Sequence, residues 1–351
     1  MTLLRTTLIL IAIVAGTAAH GDDGANRVTP LFTSNEVLDV TIRAPFTTIM
    51  RERSEEEDKF ATLTYNDAVA GSVTVELGVQ ARGRFRRQRD VCKWAPLRLN
   101  FKKSSLENTV FAGSDKMKLV THCRNNSDRY AQSLLTEHLA YRILNLITDA
   151  SFRVRLLRIT YVDTDKDDRE RIELGFLIEH KDQVARRIGL ATNDMQETTI
   201  AALDARHTNL TSLYQFLIGN TDFSPIRGVP GEACCHNYVL FGAEEGQILA
   251  VPYDFDMSGI VDAPHASPNP RFGLRNVQER LYRGRCVNNG HVDASVQTFL
   301  DQKQAIYDLI NTNELFQPNR RKDTLRFLDE FFATIESPER SRRQLIDKCL
   351  S

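Results

Sequence analysis

Two short apolar runs, around Val239 and around Val251, flank a polar turn from Gly242 to Gly246 and constrain the fold more than any other feature. Runs of that length around a glycine-bounded turn predict a two-stranded hairpin. A hairpin returns its two open ends to the same edge. Asn237 stands just before the first strand and Asp254 just after the second, so both are delivered to one place. A helix over Leu213 to Gly219 ends on Asn220-Thr221-Asp222 and brings a further carboxylate towards that edge. Asp, Asn and Gly at loop ends ordinarily form turns and caps. Here they come in a set order: Asp222, then His236-Asn237, then Tyr253-Asp254-Phe255-Asp256.

That order suits phosphoryl transfer. One carboxylate orients an acceptor hydroxyl, and a few side-chain oxygens suffice to hold Mg²⁺, which keeps several of its waters. The three motifs resemble the catalytic half of the CotH kinase family of atypical, protein-kinase-like enzymes, and HipA-type kinases have a similar order. The resemblance spans about residues 72 to 290 and is strongest over 213–260. It implies an α+β, two-lobed protein-kinase-like fold, with a β-rich N-lobe holding one main helix and a mostly helical C-lobe. It also implies ATP with Mg²⁺ or Mn²⁺ in the cleft, Asp222 as the catalytic carboxylate, Asn237 and Asp254 as metal ligands, and Asp256 as a second ligand or support. The sequence departs from the kinase pattern in two places: Asp256 stands where Asp-Phe-Gly would have Gly, and the gap from Asp222 to Asn237 is long enough to need a looped insertion.

The first half alternates apolar and polar residues over Leu38–Ile42, Ala61–Tyr65, Ser72–Gln80, Ala95–Phe101, Lys116–Val120, Phe152–Val162 and Ile172–Ile178, which predicts strands. Arg51–Lys59 reads as a solvated charged turn. Arg82-Gly83-Arg84 opens a basic run, and guanidinium forks match phosphate oxygens. In the resemblance this run is an Arg-Gly turn and basic strand covering the nucleotide, so Arg82 and Arg84 are candidate nucleotide contacts. Arg98 and Lys118 compete for the phosphate-contacting cation of the N-lobe. Glu137 lies on a helix running from Ser127 or Asp128 to about Leu146 and is the candidate partner of that cation. Glu179 ends a strand similar to the one before the kinase hinge. The lobes are expected over 38–180 and 181–351.

The first 19 residues read as a signal peptide: Arg5, an apolar run over Leu8–Ala15, and small residues up to Ala19. A loose lead-in, 20–37, follows. No stable membrane span is expected after cleavage, and the destination is the periplasm, envelope or exterior. Six cysteines suit an oxidising compartment, with Cys92 and Cys123 the first pair expected to be bridged. Two metal readings carry little weight. Cys234-Cys235-His236 with His122-Cys123 lacks the spacing of a zinc grip, and Asp163, Asp165 and Asp167 lack the glycine of a calcium loop. A formal net charge of -1 and the lack of an aromatic platform speak against nucleic acid. The expected partners are a nucleotide and a protein acceptor. A non-catalytic binding protein and a metal-dependent phosphoesterase are the rival functions.

Overall fold

The structure, a computed structural model, describes residues 28–229 and 234–351. The expected signal peptide, the first part of the lead-in, and Pro230 and Gly231 of the expected insertion lie outside them.

Period-two alternation builds the first half. β1 (Leu38–Ala44), β2 (Lys59–Asp67), β3 (Gly71–Ala81), β4 (Leu97–Phe101), β5 (Lys116–Val120), β6 (Val154–Asp163) and β7 (Arg169–Ile178) form one sheet in the order β1-β2-β3-β4-β5-β7-β6. Neighbours pair antiparallel except that β6 lies parallel to β1, from Leu38 opposite Leu157 to Ala44 opposite Asp163, which closes the sheet into a barrel. The inward residues, among them Ile42, Leu63, Val75, Leu99, Leu119 and Ile159, are fully buried and fill the interior.

Strand β6 over 154–157 and strand β7 over 175–178 bury both faces. Their outward residues Leu156 and Phe176 share a core with Leu135, Leu139 and Ile143 of α2 (Asp128–Ile147). The chain continues through α3 (Lys181–Ile188), β8 (Thr192–Asn193), α4 (Ala205–Ile218), β9 (Tyr238–Phe241) and β10 (Leu249–Pro252). It ends in α5 (Val292–Asp301), α6 (Lys303–Asn311), α7 (Pro318–Ile335) and the short α8 (Pro338–Ser341). Strands β8, β9 and β10 make a small antiparallel sheet, and β9 and β10 are the hairpin that the sequence foretells.

The expected two-lobed, protein-kinase-like fold with a mostly helical C-lobe is incorrect. The chain adopts a closed seven-stranded mixed barrel, with eight α-helices among the described residues. Two physical facts overturn the expectation. The parallel β1–β6 pairing leaves no open edge in the seven-stranded sheet. A single apolar core runs from Val120 and α2 through β6 and β7 to Phe331 and Leu345, across the expected lobe boundary. The stretch from Tyr253 to His291 also lacks any α-helix.

Two local expectations change as well. The charged run at Arg51 begins in a helix, α1 (Phe46–Glu52), which ends at Arg53 in the left-handed region (φ 52°). Arg53 is buried and donates to the carbonyls of Arg87, Cys92 and Lys93. The expected basic strand after Gly83 is a turn-rich loop joining β3 to β4. It is pinned by those bonds and by the expected Cys92–Cys123 disulfide. Cys286 is bonded to Cys349. Among the described residues no helix is long and apolar enough to cross a membrane. Asp163 and Asp165 accept hydrogen bonds from the backbone of Thr47 and Thr48 at the start of α1, an anchoring role rather than a calcium loop.

Candidate functional site

The site begins with a close crossing of two backbones. Asp204 caps the start of α4 by accepting from the His207 amide. The helix stops at Gly219 in the left-handed region (φ 64°), where a Cβ would fall 2.9 Å from the Phe327 ring. Gly259 donates to the Gly219 carbonyl at 3.1 Å and Ile260 to that of Ile218 at 3.0 Å. A Cβ on Gly259 would meet the Val277 carbonyl at 2.5 Å, so only glycine permits this approach. The crossing sets Asn220–Asp222 beside Asp254–Asp256. The hairpin adds Asn237, whose carbonyl accepts from the Tyr253 amide at 3.0 Å.

Asp222 is fixed on three sides. Its amide donates to Asn220 Oδ1 at 2.9 Å, its Oδ1 lies 2.8 Å from His236 Nε2, and its Oδ2 accepts from Asn237 Nδ2 at 3.1 Å. The hydrogen bond to Asp222 holds the His236 imidazole above its usual range, against burial. Asn237 (φ 56°) and Asp254 (φ 62°) both occupy the left-handed region, a conformation that costs energy for a non-glycine residue and gathers at functional sites. The Tyr141 hydroxyl oxygen accepts from the Asp254 amide at 2.8 Å and helps to hold it there.

Arg86 is the hub of the acidic cluster, and the sequence reading passed over it. Its nitrogens reach Glu137 at 3.3 Å, Asp254 at 3.3 Å and Asp256 at 3.1 Å. Burial works to raise Asp256, but Arg86 and a 3.0 Å contact from His265 outweigh it and bring the carboxyl down to about 2. Burial, reinforced by the neighbouring Asp256, pushes Asp254 up. Glu137 rises to about 8 through burial, despite Arg86. Burial, and then the charge of Arg82, bring Lys118 down to about 7.

A cleft of about 550 Å³ collects Arg82, Arg84, Arg86, Asp222, Asn237, Asp254 and Asp256. Lys118 stands beside it, its ammonium 4.2 Å from the centre of the Tyr253 ring. Arg98 is directly across from Lys118 on β4 and does not line the cleft. Glu137 pairs with Arg86 rather than with Arg98 or Lys118. Glu179 does not reach the cleft. It is buried in an ion pair with Arg187 at 2.8 Å and accepts from the Arg153 amide, a structural role.

The only sequence signal for Arg86 is its place in the basic run after Arg82, and nothing in that run singles it out. Of the residues in the zinc alternative, His236 is engaged by Asp222, His122 lies 2.7 Å from Asn125 Oδ1, and Cys123 is bonded to Cys92. The chain matches no known protein-family model, and no characterised protein has a matching sequence.

Proposed function

We propose that the cleft binds a nucleoside triphosphate with Mg²⁺ or Mn²⁺ and transfers its terminal phosphoryl group to a hydroxyl of a protein acceptor. The observation that carries this reading is the meeting of Asp222, Asn237, Asp254 and Asp256 with Arg82 and Arg84 in one cleft. The motif order shared with CotH-type kinases supports it. The site carries this reading and the fold does not, since one chemistry recurs on unrelated scaffolds.

The donor set suits a hard divalent cation. Asp254, Asp256 and Asn237 offer oxygens, and carboxylates already converge on a positive charge there. Arg86 contacts only Oδ1 of Asp254. When bound, the ion neutralises charge on the phosphate oxygens. Arg82 and Arg84, in the loop after β3, and Lys118, on β5, add positive charge to the same oxygens. Asp222, oriented by His236 and Asn237, takes the proton of the acceptor hydroxyl. The new oxygen–phosphorus bond forms as the bond to the bridging oxygen breaks, and the diphosphate leaves. Export is part of the proposal; the signal-like N-terminus and the Cys92–Cys123 and Cys286–Cys349 disulfides support it.

One observation favours a second reading, a binding protein without turnover: Arg86 neutralises both Asp254 and Asp256. Labelled-phosphate transfer from ATP, with Mg²⁺ and with Mn²⁺, decides between them. Wild type is expected to label an acceptor or itself. Asp222→Asn is expected to bind nucleotide and lose transfer by about 100-fold or more, the scale of a general base. Wild type that binds ATP but never transfers supports the second reading, and wild type that does neither overturns both.

A further inference from the structure

A second cavity, of about 420 Å³, opens where β6 turns into β7, bounded also by α1 and the loop between β3 and β4. It shares no lining residue with the cleft. Six basic side chains surround it: Arg51, Arg89, Lys93, Lys166, Arg169 and Arg171. Only two carboxylates, Asp163 and Glu170, face them, and Asp163 is already engaged by the Thr47 hydroxyl at 2.6 Å. Arg51 and Arg171 have carboxylates beside them in Glu52 and Glu173. Among the described residues, no carboxylate forms an ion pair with Arg89, Lys93, Lys166 or Arg169.

Like charges crowded into a concavity repel one another, and the barrel core gains nothing from them. Their supports are rigid all the same. The buried Arg53 guanidinium bonds the carbonyls of Cys92 at 3.0 Å and Lys93 at 2.9 Å, and the Cys92–Cys123 disulfide ties down the same loop. A loop backbone held in place loses little further entropy when an anion arrives. The half-buried Trp94 ring gives the cavity a flat apolar surface, backed by Tyr161 at 5.0 Å and Phe46 at 5.3 Å between ring centroids.

We propose that this cavity is a second ligand site, which takes a small organic anion bearing clustered phosphate or sulfate esters on a compact ring. The charged groups meet Arg89, Lys93, Lys166 and Arg169, and the ring rests against Trp94. The site is independent of any phosphoryl transfer in the cleft.

Isothermal titration of the full chain with inositol hexakisphosphate, and separately with sucrose octasulfate, at about 150 mM salt tests it where surface pairs are screened. One saturable site for either probe is expected, and the probe that binds tells phosphate from sulfate. Lys93→Glu combined with Arg169→Glu is expected to weaken binding at least about tenfold. The milder Lys93→Gln with Arg169→Gln, which changes two exposed residues without reversing charge, is expected to weaken it less. Arg82→Ala with Asp254→Ala, in the cleft, is expected to leave it unchanged. No saturable binding of either probe overturns the proposal. So does binding that the cleft variants abolish and the Lys93/Arg169 variants do not.

Discussion

Arg86 sets the charge state of the cleft. A guanidinium shared by Glu137, Asp254 and Asp256 lets two buried carboxyl groups lie together beside the half-buried Asp254. Breaking a buried ion pair by removing one partner leaves an uncompensated charge. Arg86→Ala is therefore expected to cost about 3–5 kcal/mol in urea unfolding. Glu137→Gln in the same chain should restore part of that loss, since it removes the carboxylate left alone. Unchanged stability in Arg86→Ala would contradict the hub. Histidines away from the site carry a separate pH signature. Burial brings His207 down to about 4 and His138 down to about 3, so both are neutral in the folded chain and protonate more readily once unfolded. The unfolded state thus binds more protons between the folded values and the ordinary value of 6.5, and stability falls as pH drops through that window. Urea melts of His207→Gln should show a shallower acid slope than wild type, by up to about 1.4 kcal/mol per pH unit. An equal slope would mean that His207 is not buried neutral.

Elements with a local signature were legible in the sequence. The β9–β10 hairpin follows from two apolar runs and a glycine-bounded turn, and the α4 terminus from Gly219 before Asn220. Those two readings were enough to bring Asp222, Asn237 and Asp254 to one edge, and all three line the cleft. Features whose cause is distant were not legible. Helix α1 begins in an unremarkable stretch, and the charged residues that follow read as a turn because Arg53's partners are carbonyls far along the chain. The Glu137–Arg86 pair depends on a loop whose path is fixed by a disulfide and by Arg53, so no strand periodicity could point to it. The crossing at Gly219 and Gly259 can be tested by itself. Gly259→Ala forces a methyl group against the Val277 carbonyl and is expected to cost about 1–3 kcal/mol in thermal or urea unfolding. A neutral result would mean that the two segments have slack and are not held by this contact.

Barrel closure is a property of the whole molecule, and it was misread for a physical reason. Alternation marks strands but not their partners. The parallel pairing of β6 with β1 joins segments more than a hundred residues apart, and no turn between them announces it. Once closed, the barrel gives Lys118 a rigid wall and anchors the loop that carries Arg82 and Arg84, while α4, α7 and the hairpin hold the acidic residues opposite. The central claim is that these two sets meet around one nucleotide-bound divalent ion. Calorimetric titration of Mn²⁺–ATP into wild type and Asp254→Ala tests it most directly. The account predicts a single site in wild type and at least about tenfold weaker binding in Asp254→Ala, the scale on which perturbed metal sites lose affinity. Equal affinity in the two proteins, or no binding to wild type, would contradict it.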